Sequence, residues 1–320
     1  MNGFIILKKT TFAILLLSIF SQMNAQKTEK FFDFKWKECI PNVARFYSLV
    51  VKTDSGYCRK DFYLRESKLQ MFGNYKDSLL KISTGKFYYF HANGSPKSVG
   101  KYVNGKKEGL WLNFYNNKMM SDSTWYLHDK QIGTSLSWYP NGFISDSVYT
   151  NEDGTGVSKS WFDNGSISSM GNYSVGHKID GLWKFYHYNG KISSLETYKD
   201  SNLIDKKHFD EEGILMNDTT NHDRPARFPD NENDWIKYLK KNIYFPVFQK
   251  IINGDSAVVV VTFTVNEDGM VENVFTSTTF SEKFDRKAED VIKESPQWYP
   301  AIEHNRKVKC LFTQVVTFKN

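Results

Sequence analysis

The sequence predicts a mainly β protein with a C-terminal α+β domain: an antiparallel β-hairpin repeat array, then a small helix-strand-strand-helix-strand sandwich. Three observations predict it. GLWLNFYNNK at 109–118 and GLWKFYHYNG at 181–190 are near-copies, 72 positions apart. Glycines recur at Gly85, Gly109, Gly133, Gly156 and Gly181, spaced by 24, 24, 23 and 25 residues. Beyond a polar stretch at 217–233 (NDTTNHDRPARFPDNEN) that rhythm gives way to helical and β-branched patterns.

Residues 1–25 read as a signal peptide. Lys8 and Lys9 precede the apolar run Phe12 to Phe20, and Met23-Asn24-Ala25 offers a small-residue cleavage site before Gln26. The run is far shorter than the roughly 20 residues a membrane helix needs. No Cys follows the cleavage region, which argues against a lipoprotein. Residues 26–84 read as a divergent N-terminal β region, with DFYL at 61–64 and GNY at 73–75 marking an opening unit. Export places Cys39 and Cys58 where a disulfide can form. A bridge and two unpaired thiols both remain open, and Cys310 reads as a buried free thiol in a strand.

The repeats fill 85–216. Eight residues after each leading glycine stands Asn93, Asn117, Asn141, Asn164 or Asn189, followed by Gly in every unit except at Lys118. Five residues after it stands an aromatic: Phe90, Phe114, Trp138, Trp161 or Tyr186. Asn-Gly between aromatic-rich runs favours a type I′ turn, so each unit is a hairpin. A lone hairpin is marginal in water, and stacking lets the aromatic before the turn pack on the next unit. His177 and His187, within repeats, are expected on a hairpin's polar face. The pattern G-x-W-x-x-(F/Y)-Y in Gly109–Tyr115, with Asn141-Gly142, resembles MORN-type repeats, in the variant of YwqK-like antitoxin-repeat proteins. Ser135 and Ser158 replace the tryptophans seen at Trp111 and Trp183. The resemblance implies a binding or scaffolding surface.

After the linker at 217–233 comes a domain at 234–320, with a lead-in from 224. Asp234 can cap a helix carrying Trp235, Tyr238, Leu239 and Ile243, ended near Pro246. Ala257 to Val265 is the strongest strand pattern in the chain, and Asn266-Glu267-Asp268-Gly269 turns into a second strand, Met270 to Thr276. Ser281 can cap a helix whose Phe284, Ala288, Val291 and Ile292 share a face, stopped by Ser295-Pro296. A final strand runs from about Val308 to Phe318 by period-two alternation, with Gln314 a polar interruption.

Four features of this segment resemble the C-terminal domain of TonB-family energy transducers. They are Pro225-Ala226-Arg227-Phe228-Pro229; Phe245-Pro246; VVVVTFTVNEDGMVENV at 258–274; and Phe284-Asp285…Ala288 with Trp298-Tyr299-Pro300-Ala301. The departure is Lys309-Cys310, where an apolar or proline-containing start is typical. The resemblance implies recognition of an extended peptide of an outer-membrane transporter by β-strand addition, in the periplasm. It assigns the pairing edge to Val308, Lys309, Leu311, Thr313, Val315 and Thr317. It assigns a second contact region to Asn242, Phe245 and Pro246, with Asn242 where the family has a functional Gln. A self-sufficient transducer also needs a permanent anchor and a stiff tether. The chain has 8 Pro and no proline-rich tract. The inner-membrane proton-channel complex is therefore a partner only if the N-terminus is retained. The alternative is a non-enzymatic periplasmic scaffold whose repeats bind the main partner, with the C-terminal domain accessory.

Other classes are excluded by pattern. The net charge of +6 comes from residues 1–84, which hold 14 Lys+Arg against 7 Asp+Glu; 85–216 holds 14 against 14, and 224–320 holds 14 against 13. No basic stripe for nucleic acid results. There is no HExxH, GxSxG, Walker loop or CxxC, so no enzyme, metal, cofactor or small-molecule substrate is expected.

Overall fold

The computed structural model describes residues 27–229, 232–247, 249, 251 and 256–319. The expected signal peptide, 1–25, lies outside the described residues. Strands β1 (Lys27–Phe32), β2 (Phe46–Thr53), β3 (Gly56–Tyr63), β4 (Lys68–Tyr75) and β5 (Ser83–Phe90) open a sheet. It continues through β6 (Pro96–Val103), β7 (Lys106–Phe114), β8 (Met120–Leu127), β9 (Lys130–Trp138) and β10 (Ile144–Thr150). β11 (Gly156–Trp161), β12 (Ile167–Ser174), β13 (Lys178–Tyr186), β14 (Ile192–Lys199) and β15 (Asn202–His208) complete it. The strands pair in chain order, so the N-terminal β region and the repeats form one antiparallel sheet.

The turns divide into two kinds, and not as the Asn-Gly pairs suggest. At the tip after β5, His91 N–H donates to Ser95 (2.9 Å) and Gly94 N–H to His91 (2.8 Å). Only Gly94 has positive φ, so this is a three-residue loop closed by a left-handed glycine, not a type I′ turn. Type I′ geometry belongs to the connections between units: Asn104-Gly105 (φ 51° and 82°), His128-Asp129 (51° and 73°) and Asp200-Ser201 (50° and 69°). The tip asparagines tie neighbours together. Asn93 Oδ1 accepts from the Ser95 N–H at 2.9 Å, while its Nδ2 donates to the Asn116 carbonyl of the next tip at 2.8 Å. Asn164 and Asn189 repeat both bonds.

A second ladder runs one residue beyond the predicted aromatic. Tyr115 and Tyr139 hydroxyls donate to the carbonyls of Trp138 (2.7 Å) and Trp161 (2.8 Å). His187, buried rather than on a polar face, bonds the Phe209 carbonyl through Nε2 at 2.9 Å. The predicted aromatics themselves, Phe90 to Tyr186, are only half-buried.

One row crosses the inner face from β5 to β14: Phe87, Gly100, Trp111, Thr124, Ser135, Val148, Ser158, Gly171, Trp183 and Glu196. A Cβ on Gly73, Gly100 or Gly171 would lie about 2 Å from the ring of Phe87, Trp111 or Trp183, so each ring rests on bare backbone. Where serine replaces the ring, at Ser135 and Ser158, the preceding return strand carries Thr124 and Val148 instead of glycine. Ring and glycine are exchanged together, which conserves packed volume.

Helix α1 (Glu232–Asn242) opens the second domain, followed by β16 (Ser256–Val265), β17 (Val271–Thr278) and α2 (Glu282–Lys293). β18 (Ala301–Glu303), β19 (Arg306–Val308) and β20 (Cys310–Lys319) complete it. The sheet order is β17-β16-β20, with β18 and β19 a separate hairpin. Ala257, Val259, Val261, Phe263 and Val265, all at most 1% exposed, meet Phe284, Ala288 and Ile292 of α2, with Phe228 and Trp298 closing the core. The lead-in bridges to the domain at Arg224–Ile302 and Arg227–Tyr299. Two predicted caps differ. Asp234 lies inside α1 and pairs with Lys237 at 2.8 Å; Ser281 is the N-cap of α2 but makes no side-chain cap bond.

Cys39 and Cys58 are free thiols. The Cys39 amide bonds the Phe31 carbonyl, whereas Cys58 stands opposite Val51, itself opposite Lys27. Four residues along a strand at ~3.3 Å each and two strands across at ~4.8 Å each exceed the ~7 Å Cα limit of a bridge. Cys310 is free and half-buried.

Candidate functional site

A sheet of three strands has two edges, and they differ. β17 pairs with β16 through two register shifts, and its Asn273 sits at φ 53°, left-handed and out of strand geometry. Such a border is bent and locally unpaired. β20 pairs with β16 through ten consecutive residues, Ser256↔Lys319 to Val265↔Cys310, without a shift. Among the described residues no strand pairs with its other side. A straight strand with a free row of N–H and C=O groups is a template for a further strand.

The side chains of β20 alternate cleanly. Phe312, Val316 and Phe318 face the core, while Leu311 (70% exposed), Thr313, Val315 (46%) and Thr317 face outward. The predicted polar interruption has a structural use. Gln314 Oε1 accepts from the Trp235 indole at 2.8 Å, and its Nε2 donates to the Val315 carbonyl at 2.7 Å. It pins α1 to the middle of the edge strand.

Two of the predicted edge residues lie elsewhere. Val308 belongs to β19, paired with Ala301, and Lys309 stands between strands. The Lys309 ammonium is held by Asp163 Oδ2 at 2.8 Å and Glu272 Oε1 at 2.6 Å. Burial alone would lower its pKa, but the two carboxylates outweigh burial and raise it. Asp163 responds in kind: bonds from Lys309 and Tyr188 overcome burial and lower its carboxyl. The lysine that departs from the resembling family's pattern is therefore a strut to the repeat array. Edge residues Leu311, Thr313, Val315 and Thr317 remain together on β20.

The second predicted region lies close by. Asn242 ends α1 with Nδ2 donating back to the Tyr238 carbonyl at 2.8 Å, so its amide is committed to its own helix. Phe245 packs edge-on against Phe284 at 5.1 Å, and Phe284 packs edge-on against Phe318 of β20 at 5.0 Å. Pro246 is half-buried beside them. Flanking side chains missed in the sequence are the exposed ones: Tyr244, with Lys287 Nζ 3.5 Å from its ring centre, and Val247.

A cleft of about 390 Å³ separates the repeat tips from the β16–β17 turn, lined by Asp163, Tyr188, Glu267, Asp268, Lys307 and Lys309. Burial pushes the Glu267 carboxyl up. Neither a nucleophile beside a base nor a donor pair converges there. Among the described residues no group of three His, Cys, Asp or Glu is placed to hold a metal ion. No helix among them is long and apolar enough to cross a membrane.

Residues 249–319 match the family described as Gram-negative bacterial TonB protein C-terminal. The carboxyl-terminal unit is similar to the TonB-type domain. Residues 179–200, which are β13 and β14, match the MORN repeat variant. The TonB-type match runs from just before β16 to the end of β20, and leaves α1 and the lead-in outside it. No curated protein matches the chain. The matched TonB family is transport-related and non-enzymatic, and belongs to the cell envelope.

Proposed function

We propose that the free edge of β20 receives an extended segment of an outer-membrane transporter as a fourth strand, in the periplasm. The observation that carries this reading is the ten-residue pairing of β20 with β16, unshifted and open on its far side. Main-chain bonds supply affinity, and outward Leu311 and Val315 supply apolar contacts for alternate side chains of the guest. Phe245, Pro246 and exposed Val247 extend the contact at the Phe318 end. If residues 1–25 are removed by cleavage after Ala25, the mature chain begins at Gln26 and has no covalent link to an inner-membrane motor. Recovery of a membrane-bound chain that starts at Met1 overturns that part and restores the proton-channel complex as a partner.

The pairing is tested by hydrogen exchange with a synthetic peptide from the periplasmic amino terminus of an outer-membrane transporter. Strand addition slows every second amide of β20 by at least tenfold, because alternate N–H groups face the free side. Protection without this period, or none at saturating peptide, rejects the proposal. A scaffold reading is favoured by a different observation, the exposed row Leu110, Trp125, Tyr149, Val157 and Leu182 on the outer face of the repeats. Under it, Trp125→Ala weakens partner capture and Leu311→Asp does not.

A further inference from the structure

Beside the Trp183–Gly171 pair, the inner face of the fourth and fifth repeats holds something that the earlier units lack. The tip of the β18–β19 hairpin enters there. His304 and Asn305 occupy the two positive-φ positions of its turn (51° and 59°). The His304 ring lies flat on Phe185, with centroids 3.7 Å apart at 7°. Its Nδ1 donates to the Glu196 carboxylate at 3.0 Å. Asn305 Nδ2 donates to the carbonyls of Phe209 (2.9 Å) and Ser193 (3.2 Å), and Ser193 Oγ donates to the His304 carbonyl at 3.2 Å. Arg306 is 8% exposed. Its Nη1 donates to the carbonyls of Ser168 and Tyr186, and its guanidinium sits 5.5 Å and 5.2 Å from the rings of Phe162 and Phe185.

The array is built for this guest. Ser193 and Ser194 are fully buried, and Ser168 and Ser169 nearly so, giving a floor low enough for a backbone to approach. Glu196 stands at the offset that glycine occupies at Gly100 and Gly171, and it is 4% exposed. A carboxylate buried in an aromatic row is costly unless it is bonded. Ser194 and Tyr198 satisfy part of it, and the remaining partner, His304, arrives from the other domain. Planar carbonyl acceptors between two rings suit a guanidinium and not an ammonium.

We infer that the groove between the fourth and fifth repeats is a receptor for an arginine-bearing β-turn, that its occupant is the chain's own β18–β19 hairpin, and that Arg306 sets the fit. The repeats thereby bind in cis. They hold β20, which starts two residues after β19 ends, at a fixed angle to the sheet. This assignment stands whether or not a peptide pairs with β20.

The test uses the full chain, hydrogen exchange at 301–308 and sedimentation. Arg306→Lys keeps the charge and loses the planar fork; Asn305→Gly keeps the left-handed turn and loses the amide bonds. Each is expected to speed exchange across 301–308 by at least tenfold and to raise the frictional ratio, while strand amides of β5–β10 exchange as in wild type. Wild-type exchange in both variants overturns the inference. So does a wild-type dimer in sedimentation whose hairpin docks in trans. If Arg306→Lys fails to fold, seen as faster exchange in β5–β10, Asn305→Gly decides by the same criterion.

Discussion

Gly171→Ala is predicted to destabilise the array, and to stop doing so once Trp183 is removed. The new Cβ would lie 2.1 Å from Trp183 Cδ2 and 2.3 Å from Cε2, where ordinary contact begins near 3.4 Å. The indole must therefore withdraw by about 1.3 Å. It has little room. Trp183 is 5% exposed, packed against Tyr173 and Phe185, and its Nε1 donates to the Asn172 carbonyl at 3.1 Å. Overpacking of this kind costs ~1–3 kcal/mol, and losing the indole bond adds ~1 kcal/mol. Alanine returns ~0.5–1 kcal/mol over glycine within a strand. The net loss is about 1–3 kcal/mol. In a Trp183→Ala background the clash is gone, and the same change gains about 0.5 kcal/mol. Urea unfolding of the four proteins, followed by circular dichroism, measures the coupling. An equal cost in both backgrounds, or no cost in wild type, refutes ring-on-glycine packing.

Two further outcomes follow from the same geometry. Lys118 stands at φ 73°, where the other tips place glycine, so Lys118→Gly is expected to raise stability by about 0.5–1 kcal/mol in the same assay. Two carboxyls give opposite pH slopes. Burial works against ionised Glu196, but bonds from His304 and Tyr198 prevail and bring it to about 2 from an ordinary 4.5. Its contribution is complete above about 4.5 and is lost as pH falls through about 2, on the order of 3 kcal/mol. Burial raises Asp285 to about 6, so its contribution is complete below the ordinary 3.8 and is lost as pH rises through about 6. Thermal melts across pH 2–7 check both: Glu196→Gln flattens the acid limb, and Asp285→Asn flattens the limb near 6.

The repeat array was legible because its determinants are local. Spaced glycines, tip asparagines and aromatics need only nearest-neighbour strands to act. The β-branched run at 257–265 was legible for the same reason. The turn type was not, because Asn93-Gly94 and Asn104-Gly105 are the same dipeptide in loops of different length, and pairing register sets that length. Ala301–Glu303 and Arg306–Val308 are too short to show alternation, so the hairpin was missed and its last residue, Val308, was given to the final strand. Of the candidate site, the outward face of β20 was readable by period two. Lys309 was misplaced because its carboxylate partner Asp163 lies 146 residues away. Glu196 did carry a signal, an acid at a glycine offset, which only the tabulated repeat reveals.

The coupling of each ring to the glycine before it fixes where the array can be cut. Deleting residues 156–180, from one leading glycine to the next, would part Gly171 from Trp183 and leave the ring facing Val148. A cut at the hairpin tips keeps each return strand with the strand that covers it. The unit that can be shuffled is therefore half a period out of phase with the one the eye finds in the sequence.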